Sequence, residues 1–589
     1  MARWIGASAA LGAMALICAA GAAQAQGMFP AKPDDVAPRL TQQENAPLAK
    51  LTPVTDAVLR DPPPGDWLMW RRTYDGWGYS PLDQINRGNV KTLGLAWSWA
   101  LPNGATEDTP LEHDGVLFMQ SFGDGVEALN AANGDLLWRY VRPTPKGVTM
   151  YFKRMIAIYG EAVLLATSDK HLVALDMHTG KVLWDQAVAG DGSYTSGPMA
   201  LNGKVFIGAS NCVTSRCSIT AHDAATGREL WRFYTVAAPG DPGGDTWNGL
   251  PVDQRFGGSA WTSGSYDPAT NLLYWGVGQP YPWNAFARGT SPLKPGANND
   301  ALYTDNTLAL DPDTGKLVWH YAHLPNDSWD MDYVFERELI DLPVDGKMRR
   351  LAVTSGKMAI IEALDARTGK FVFARDLGLQ NIVQSIDPKT GRKTINPAVI
   401  AQINQTVTIC PHPGGGRSTG ATAYDPQTGL LYVPLQEHCT DMTPGPREPG
   451  EKTAPSKFVL ELKPGSDGDL GRLDAVDLAT GKTAWSRRER APQSTAALPT
   501  AGGLVFEGDL DRYFTAYDAA TGAPLWRVRL NDVPNAPPIT YSVGGRQYVA
   551  VSTGSGSPYT HTWGNLVPDI RTPPGGGATL WVFELPQQP

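Results

Sequence analysis

The sequence predicts an all-β protein, an eight-bladed β-propeller with tryptophan-docking repeats, and three features lead to this prediction. The first is a composition rich in turn formers and poor in charge, with 63 Gly, 48 Pro and 19% charged residues among 589. The second is a motif that recurs at the length of a propeller blade. The third is a strand-like segment near each end of the chain, so that the two ends can meet in one blade.

The repeated motif is A-x-[DN]-x-x-[TN]-G-x-x-x-W, with six good copies that begin at residues 128, 174, 221, 309, 475 and 516. Degenerate copies begin at residues 265, 363 and 423. In each copy an apolar strand ends at the Asp, a tight turn follows, and a second strand carries the Trp. A lone four-stranded sheet cannot bury both faces, so we expect the blades to stack with their Trp side chains between neighbours. Nine copies suit eight blades if some copies mark an extra hairpin.

The two end segments are "LGLAWSWAL" at 93–101 and "TLWVFEL" at 579–585. Both have the aromatic and β-branched residues that are typical of strands. Pairing of the two in one blade would close the ring of sheets and remove its exposed edges.

The chain divides into three predicted parts. Residues 1–25 have the pattern of a signal peptide: Arg3, an apolar run, and the small-residue cleavage site Ala23-Gln24-Ala25. Residues 26–62 are predicted to be an extended strap, and residues 63–589 the propeller. No later apolar stretch approaches the roughly 18 residues that a membrane span needs. We therefore expect an exported, periplasmic protein.

Cleavage would leave four cysteines. An even number in an exported protein suggests two disulfides. Proximity in the sequence favours the pairs Cys212–Cys217 and Cys410–Cys439.

Several function classes lack their signals in this sequence. The net charge is −9 and no Lys/Arg run stands out, so nothing suggests binding to nucleic acid. The nine His residues form no zinc-type pairing. There is no C-x-x-C-H motif, so we expect no covalent haem on this chain.

A pair of carboxylates in "DSWDMDYVF" (327–335) is the first candidate for chemistry. In an extended strand Asp330 and Asp332 would project to the same side. Two like charges held that close repel unless a positive group lies between them. A solvated loop rim is the simple alternative, and a metal ion with a catalytic base beside it is the functional one.

Three long motifs add a resemblance to a known family. They are "RTYDGWGYSPLDQIN", "GGSAWTSGSYDPATNLLYWGVGQPYPWN" and "SWDMDYVFE". With the repeats, they make the chain from Trp67 to Leu585 resemble the quinoprotein alcohol dehydrogenases, which use pyrroloquinoline quinone (PQQ). The resemblance implies a site on the propeller axis.

The resemblance also implies the residues that bind PQQ. Trp261 matches the indole on which the flat tricyclic cofactor stacks, although a Trp that only packs blades is the alternative. Lys357 matches a cationic residue that contacts the reactive quinone oxygens and stabilises negative charge during reduction. The positions that would hold the PQQ carboxylates and quinone edges are Glu107, Arg154, Thr195 and Ser210.

For the metal and the base, the resemblance implies that Asp330 takes the hydroxyl proton from the substrate. Asp332 lies where the lanthanide-using branch has an additional ligating carboxylate. The usual ligating Asn is replaced by Gln279, and the usual Glu is missing from "ASNCVTSRC". Either a carbonyl oxygen of Asn211 or a rearranged Cys212–Cys217 loop would compensate. Asp332 would compensate for the lost Glu with Ca²⁺ still bound, so Ca²⁺ is expected; a lanthanide, whose third charge would neutralise the two carboxylates better, is the alternative.

The pocket is expected to be wide. The adjacent cysteine pair that roofs the cofactor in many relatives is replaced by Val148-Thr149, while Ser494 and Ser418 stand where larger residues are common. We therefore expect an alcohol bulkier than methanol, including secondary alcohols, as the substrate. A sugar or polyol dehydrogenase of the same chemistry is a further reading.

The implied reaction is oxidation of an alcohol to an aldehyde or ketone by hydride transfer to a metal-polarised quinone. Because the chain has no haem motif, the electrons are expected to pass to a soluble cytochrome c. The alternative is a non-enzymatic propeller that serves as a scaffold in envelope protein assembly.

Overall fold

The structure is a computed structural model that describes residues 46–291, 298–554, 562–571, 573 and 576–587. The predicted signal peptide and residues 26–45 of the predicted strap lie outside the described residues. Within 46–62 the chain forms a 3₁₀ turn, Leu48–Lys50, and a short helix, Asp56–Arg60. Val54 pairs with Gly160 in an isolated β-bridge. The strap and its boundary at residue 62 stay predictions.

The described residues contain eight four-stranded antiparallel sheets, which we number 1 to 8 in chain order. Sheet 1 has the strands Leu111–His113, Val116–Ser121, Gly125–Asn130 and Leu136–Tyr140. Sheet 2 has Ala157–Tyr159, Ala162–Ala166, His171–Asp176 and Val182–Ala187. Sheet 3 has Met199–Leu201, Lys204–Gly208, Ser218–Asp223 and Glu229–Tyr234. Sheet 4 has Ser265–Asp267, Leu272–Gly276, Asn306–Leu310 and Leu317–Ala322.

The second half of the chain supplies the other four sheets. Sheet 5 has the strands Glu338–Val344, Lys347–Ser355, Ile360–Asp365 and Phe371–Asp376. Sheet 6 has Ala423–Asp425, Leu430–Gln436, Gly471–Asp477 and Lys482–Glu489. Sheet 7 has Leu498–Thr500, Leu504–Gly508, Tyr513–Asp518 and Pro524–Arg529. Sheet 8 has Ile539–Val543, Arg546–Thr553, Thr579–Glu584 and Gly94–Ala100.

Smaller elements connect the sheets. The short strands are Phe256–Gly257 with Pro280–Tyr281, Val383–Ile386 with Lys393–Ile395, and the set Val407–Ile409, His438–Pro444 and Ser456–Leu462. The helical turns are Val90–Thr92, Gly244–Trp247, Val252–Gln254, Ala285–Arg288 and Pro397–Val399. Among the described residues, no helix has the length and apolar character needed to cross a membrane.

The repeated motif occupies two kinds of place in the sheets. Seven copies span the third and fourth strands of sheets 1 to 7, and the copies that begin at 265 and 423 span the first and second strands of sheets 4 and 6. Those two degenerate copies therefore mark additional hairpins.

The motif Trp contacts the turn of the following sheet. The indole N–H of Trp138 donates to the carbonyl of Met177 at 3.0 Å. Its ring lies over Gly180, where a Cβ atom would come within 2.6 Å of the ring and where φ is +68°. Glycine is therefore required at this turn for space and for backbone conformation. The same arrangement joins Trp97 to Gly134, Trp184 to Gly227, Trp231 to Gly315, Trp319 to Gly369 and Trp485 to Gly522.

The two end segments pair as predicted. Gly94–Ala100 lies antiparallel to Thr579–Glu584, with Trp99 opposite Leu580. Sheet 8 therefore combines three strands from the C-terminal part of the chain with one strand that precedes sheet 1.

Candidate active site

One cavity, of about 260 Å³, gathers most of the predicted site residues. The predicted residues that line it are Arg154, Thr195, Asn211, Trp261, Gln279, Asp330, Asp332 and Lys357. Glu107 and Ser210 lie behind this lining. The carboxylate of Glu107 is 3.0 Å from Nε of Arg154, and the Ser210 hydroxyl accepts a hydrogen bond from the Thr195 hydroxyl at 3.0 Å. The two residues therefore support the cavity wall through their neighbours.

Lys357 supplies the positive group between the two carboxylates. Its ammonium lies 2.9 Å from Oδ1 of Asp330 and 2.8 Å from Oδ2 of Asp332, and all three side chains are buried. Burial raises the pKa of Asp330 well above its ordinary value, while the charge of Lys357 acts in the opposite direction. The repulsion expected from the sequence is thus relieved by a side chain of the protein itself.

The carboxylate of Asp327 holds the segment that carries this pair. It accepts hydrogen bonds from the backbone N–H groups of Trp329, at 2.7 Å, and Met331, at 2.6 Å. The Trp329 indole is anchored in turn on the carbonyl of Val399 at 2.8 Å. Asp330 has a φ of +61°, a conformation that is uncommon for residues other than glycine and is often found at functional sites.

Asp332 links the carboxylate pair to Trp261, an aromatic residue of the cavity lining. Its Oδ2 accepts a hydrogen bond from the Trp261 indole at 3.2 Å, and its Oδ1 accepts one from the backbone N–H of Gln279 at 3.0 Å. A Cβ atom at Gly278 would lie only 2.2 Å from Oδ1 of Asp332, so glycine is needed for this close approach. The segment "VGQPYPW" is thereby fixed against the segment that carries Asp330.

Trp261 is in contact with a cation and an aromatic ring. The guanidinium carbon of Arg154 lies 4.5 Å from the centre of the Trp261 ring and 4.6 Å from that of Phe152. The ring of Phe335 meets Trp261 edge to face, with the ring centres 5.2 Å apart. Such cation–π and edge-to-face contacts fix the orientation of the indole.

Both predicted disulfides are present, and one of them borders the cavity. Cys212 is bonded to Cys217, and Cys410 to Cys439. Cys212 lines the cavity beside Asn211, whose side-chain amide donates to the Ser193 hydroxyl at 2.6 Å. The disulfide loop therefore forms one wall of the site.

The two serines from which a wide pocket was predicted, Ser418 and Ser494, do not both line the main cavity. Ser418 lines the main cavity. Ser494 lines a neighbouring cavity of about 20 Å³ instead, together with Ser418, Glu107 and Trp563. A small residue at position 494 therefore opens space next to the main cavity and not inside it.

Four residues of the site were missed from the sequence. Phe152, Tyr281 and Trp283 line the cavity, although nothing in their local pattern separates them from packing aromatics. Asp305 is fully buried, and neither of its carboxylate oxygens has a hydrogen-bond partner. Burial raises its pKa well above the ordinary value, and the negative charges of Asp327 and Asp332 raise it further. Asp305 precedes a repeat strand, where no sequence signal marks it.

The residues present fit the cofactor and ion implied by the resemblance. Trp261 offers an aromatic ring, and Arg154 and Lys357 supply cations for a flat tricarboxylate. The buried Oε1 atom of Gln279 has no hydrogen-bond partner. Together with the carboxylates of Asp330 and Asp332, it forms a set of oxygen donors, which suits a hard cation. Within the described residues no group of three His, Cys, Asp or Glu side chains is arranged to hold a metal, so the carboxylate pair is the anionic part of the set.

Comparison with known proteins identifies the family of the chain. A family model described as "PQQ: Glucose/ethanol/alcohol dehydrogenase, beta-propeller domain" matches residues 67–375 and 464–549. The quinohemoprotein alcohol dehydrogenase ADH IIB of Pseudomonas putida is 36% identical over 554 residues, covering 88% of this chain and 78% of that protein. The quinoprotein ethanol dehydrogenase of Pseudomonas aeruginosa is 31% identical, covering 92% of this chain and 94% of that protein.

Solved structures of similar fold give the same result. The quinohemoprotein alcohol dehydrogenase ADHIIG of Pseudomonas putida superposes with a TM-score of 0.82 at 31% identity, covering 91% of this chain and 84% of that one. A europium-containing methanol dehydrogenase superposes with a TM-score of 0.81 at 29% identity, covering 90% of this chain and all of that one. The chain therefore belongs to the quinoprotein alcohol dehydrogenases, PQQ-dependent oxidoreductases with an all-β fold of the propeller type.

Proposed function

We propose that the chain oxidises alcohols bulkier than methanol, including secondary alcohols, to aldehydes or ketones, with Asp330 as the base. The observation that carries this proposal is the single cavity in which Asp330, Asp332 and Lys357 meet Trp261. Family membership favours this enzymatic role over the scaffold alternative.

Asp330 is suited to accept the hydroxyl proton of the substrate. Its Oδ1 is fixed by Lys357 at 2.9 Å, and Asp330 lines the cavity. A buried carboxylate with a raised pKa is a stronger base than an exposed one. Lys357 also places a positive charge at the site, where it stabilises negative charge that develops during the reaction.

The proposed binding roles follow from the chemistry of each side chain. Trp261 would stack against PQQ, and Arg154 and Lys357 would contact its acidic and quinone oxygens, with Glu107, Thr195 and Ser210 in support. The metal ligands would come from Asp330, Asp332, Gln279 and Asn211. PQQ, when bound, supplies a two-electron acceptor for the substrate hydride next to a metal ion that acts as a Lewis acid.

For the ion we propose Ca²⁺, with a lanthanide as the alternative. Asp330 and Asp332 are the anionic oxygen donors, with part of their charge offset by Lys357. Gln279 and Asn211 add only neutral oxygens, and the whole set suits a divalent cation. Because a europium-containing methanol dehydrogenase is similar to this chain, the test below includes a lanthanide.

We propose that the eight sheets are the blades of one closed propeller with docked tryptophans. The pairing of Gly94–Ala100 with Thr579–Glu584 supports closure. Five motif tryptophans and Trp97 lie over turn glycines of the following sheets, which supports docking between neighbours.

We further propose that the enzyme acts in the periplasm and passes electrons to a soluble cytochrome c. Two disulfides suit an oxidising compartment. The net charge of −9 suits a basic electron acceptor.

The test is reconstitution of metal-free protein with PQQ and either Ca²⁺ or a lanthanide, followed by dye-linked oxidation of an alcohol panel. We expect turnover with Ca²⁺ and higher kcat/KM for bulky secondary alcohols than for methanol or ethanol. Turnover with a lanthanide alone would overturn the choice of ion. A preference for short primary alcohols would overturn the substrate class, and no oxidation with any ion would overturn the enzymatic role.

A further inference from the structure

A second cavity, of about 250 Å³, lies on the other side of the disulfide loop. Cys212 and Val213 line the active-site cavity, whereas the next residues, Thr214 to Arg216, line this second one. We call it the loop groove. Its lining includes four cationic side chains, Arg216, Arg232, Arg255 and Lys452, and two exposed carboxylates, Asp191 and Asp253.

Three of the four cations are held by neutral groups. Arg216 donates to the carbonyl of Val236 at 3.2 Å, and its guanidinium carbon lies 4.1 Å from the centre of the Tyr234 ring. Lys452 donates to the carbonyl of Thr214 at 3.2 Å, and its ammonium lies 5.3 Å from the centre of the Phe256 ring. Carbonyl dipoles and aromatic faces orient a cation but leave its charge uncompensated.

Arg255 is the most constrained of the three. It is 1% exposed and donates to the carbonyls of Leu250, at 2.7 Å, and Ala237, at 2.9 Å. Burial lowers its pKa, and the positive charge of Arg216 lowers it further. The guanidinium groups of Arg216 and Arg255 are therefore close to each other, and that of Arg255 is shielded from water.

The described carboxylates around the groove do not pair directly with these three cations, although the negative charge of Asp241 raises the pKa of Arg255. Among the described residues, none comes within ion-pair distance of Arg216, Arg255 or Lys452. Arg232 differs, because it pairs with Glu229 at 2.6 Å. The net charge of the protein is −9. A cavity lined by three cations that form no ion pair with the described residues therefore differs in charge from the protein as a whole.

We propose that the loop groove is a binding site for a small oxyanion, a phosphate or a carboxylate. The planar guanidinium of Arg216 matches the paired oxygens of such groups, and Lys452 adds a mobile point charge from an exposed segment. Arg255 supplies a fixed positive charge behind them. Binding needs no rearrangement of the active-site residues, because the disulfide loop separates the two cavities.

The test uses the full chain and thermal unfolding, with inorganic phosphate in one arm and malonate in the other. Each is compared with chloride at equal ionic strength. A ligand that binds the folded state raises the unfolding midpoint progressively once its concentration exceeds its dissociation constant. We expect this with at least one probe, and an apparent affinity about tenfold weaker in R216Q. The arm that responds identifies the anion class.

Two further variants keep the test decisive. Lys452 is exposed, so K452Q should fold normally and should also weaken the response. R367Q removes an exposed Arg far from the groove lining and should leave the response unchanged. No rise beyond chloride, or a rise that is the same in R216Q, K452Q and wild type, would overturn the proposal. Because the readout is unfolding, the result is independent of whether the protein oxidises alcohols.

Discussion

The segment 327–333, which we call the Asp330 loop, and the repeated Asp-x-x-Thr-Gly turns share one kind of hydrogen bonding. In the Asp330 loop, Asp327 accepts hydrogen bonds from the backbone N–H groups of Trp329 and Met331. In the turn of sheet 4, Asp311 accepts them from Asp313 and Thr314, both at 2.9 Å. In both places a carboxylate replaces water as the partner of local N–H groups.

The two regions differ in what these hydrogen bonds make possible. After Asp311 the chain reverses into the next strand and the turn remains partly exposed to water. After Asp327 it stays irregular and buried, Asp330 takes a positive φ, and Lys357 is needed to balance Asp330 and Asp332. The same hydrogen bonds therefore have two outcomes. Where water can solvate the remaining polar groups they form a turn, and where those groups are buried the protein must supply their partners, as Lys357 does for Asp330 and Asp332.

The largest effect is expected when the proposed base, Asp330, is changed. D330N keeps the size of the side chain and an acceptor for Lys357 but cannot take a proton. Turnover should fall by about 10²–10⁴-fold with PQQ still bound. Dye-linked turnover and cofactor absorbance measure this, with D345N on an exposed turn as the control. Turnover close to that of wild type would remove Asp330 from its assigned role.

The next effect is expected when the carboxylate that holds the Asp330 loop is removed. D327A leaves two buried N–H groups without a partner, which should lower the free energy of unfolding by about 2–4 kcal/mol. Displacement of Asp330 should lower kcat by about tenfold or more. D327N retains one acceptor oxygen and should lose less of both. Wild-type stability and kcat in D327A would show that the loop is held by other contacts.

A smaller effect is expected at the turn of a repeat. G180A should cost about 1–2 kcal/mol for its positive φ and a further 1–3 kcal/mol for contact with Trp138. G429A is the matched control, because its φ is +72° and no atom lies within 4 Å of the added Cβ. Thermal unfolding of the two variants should therefore differ by the contact with Trp138 alone. Equal destabilisation would argue against a stabilising role for this contact.

The smallest effect is expected at the partly exposed turn that Asp311 holds. D311A should lower the free energy of unfolding by about 1 kcal/mol at neutral pH. Slight burial would raise the pKa of Asp311, but hydrogen bonds from Thr314 and Asp313 outweigh it and lower the pKa. The contribution is therefore present above the ordinary pKa of about 3.9 and lost as the pH falls through the lowered value in the folded state. Unfolding midpoints of wild type and D311A should converge towards pH 3, and a constant difference would contradict this.

The parts that the sequence predicts well are those with a local cause. The strands, the turns and the pairing of the chain ends follow from the repeated motif and from apolar alternation, and both disulfides follow from spacing. The roles of Trp261 and Asp330 came from the resemblance, since no local pattern distinguishes this Trp from the others. The place of Lys357 between two carboxylates and the buried Asp305 depend on contacts between distant segments, so a reading of local patterns misses them.

The most direct measurement is a crystal structure of the protein with PQQ and Ca²⁺ added. It should show planar density against the ring of Trp261 and an ion bound by carboxylate oxygens of Asp330 and Asp332. Planar density elsewhere in the molecule, or a cavity in which Lys357 alone bridges the two carboxylates and no ion binds, would contradict the assignment of this site.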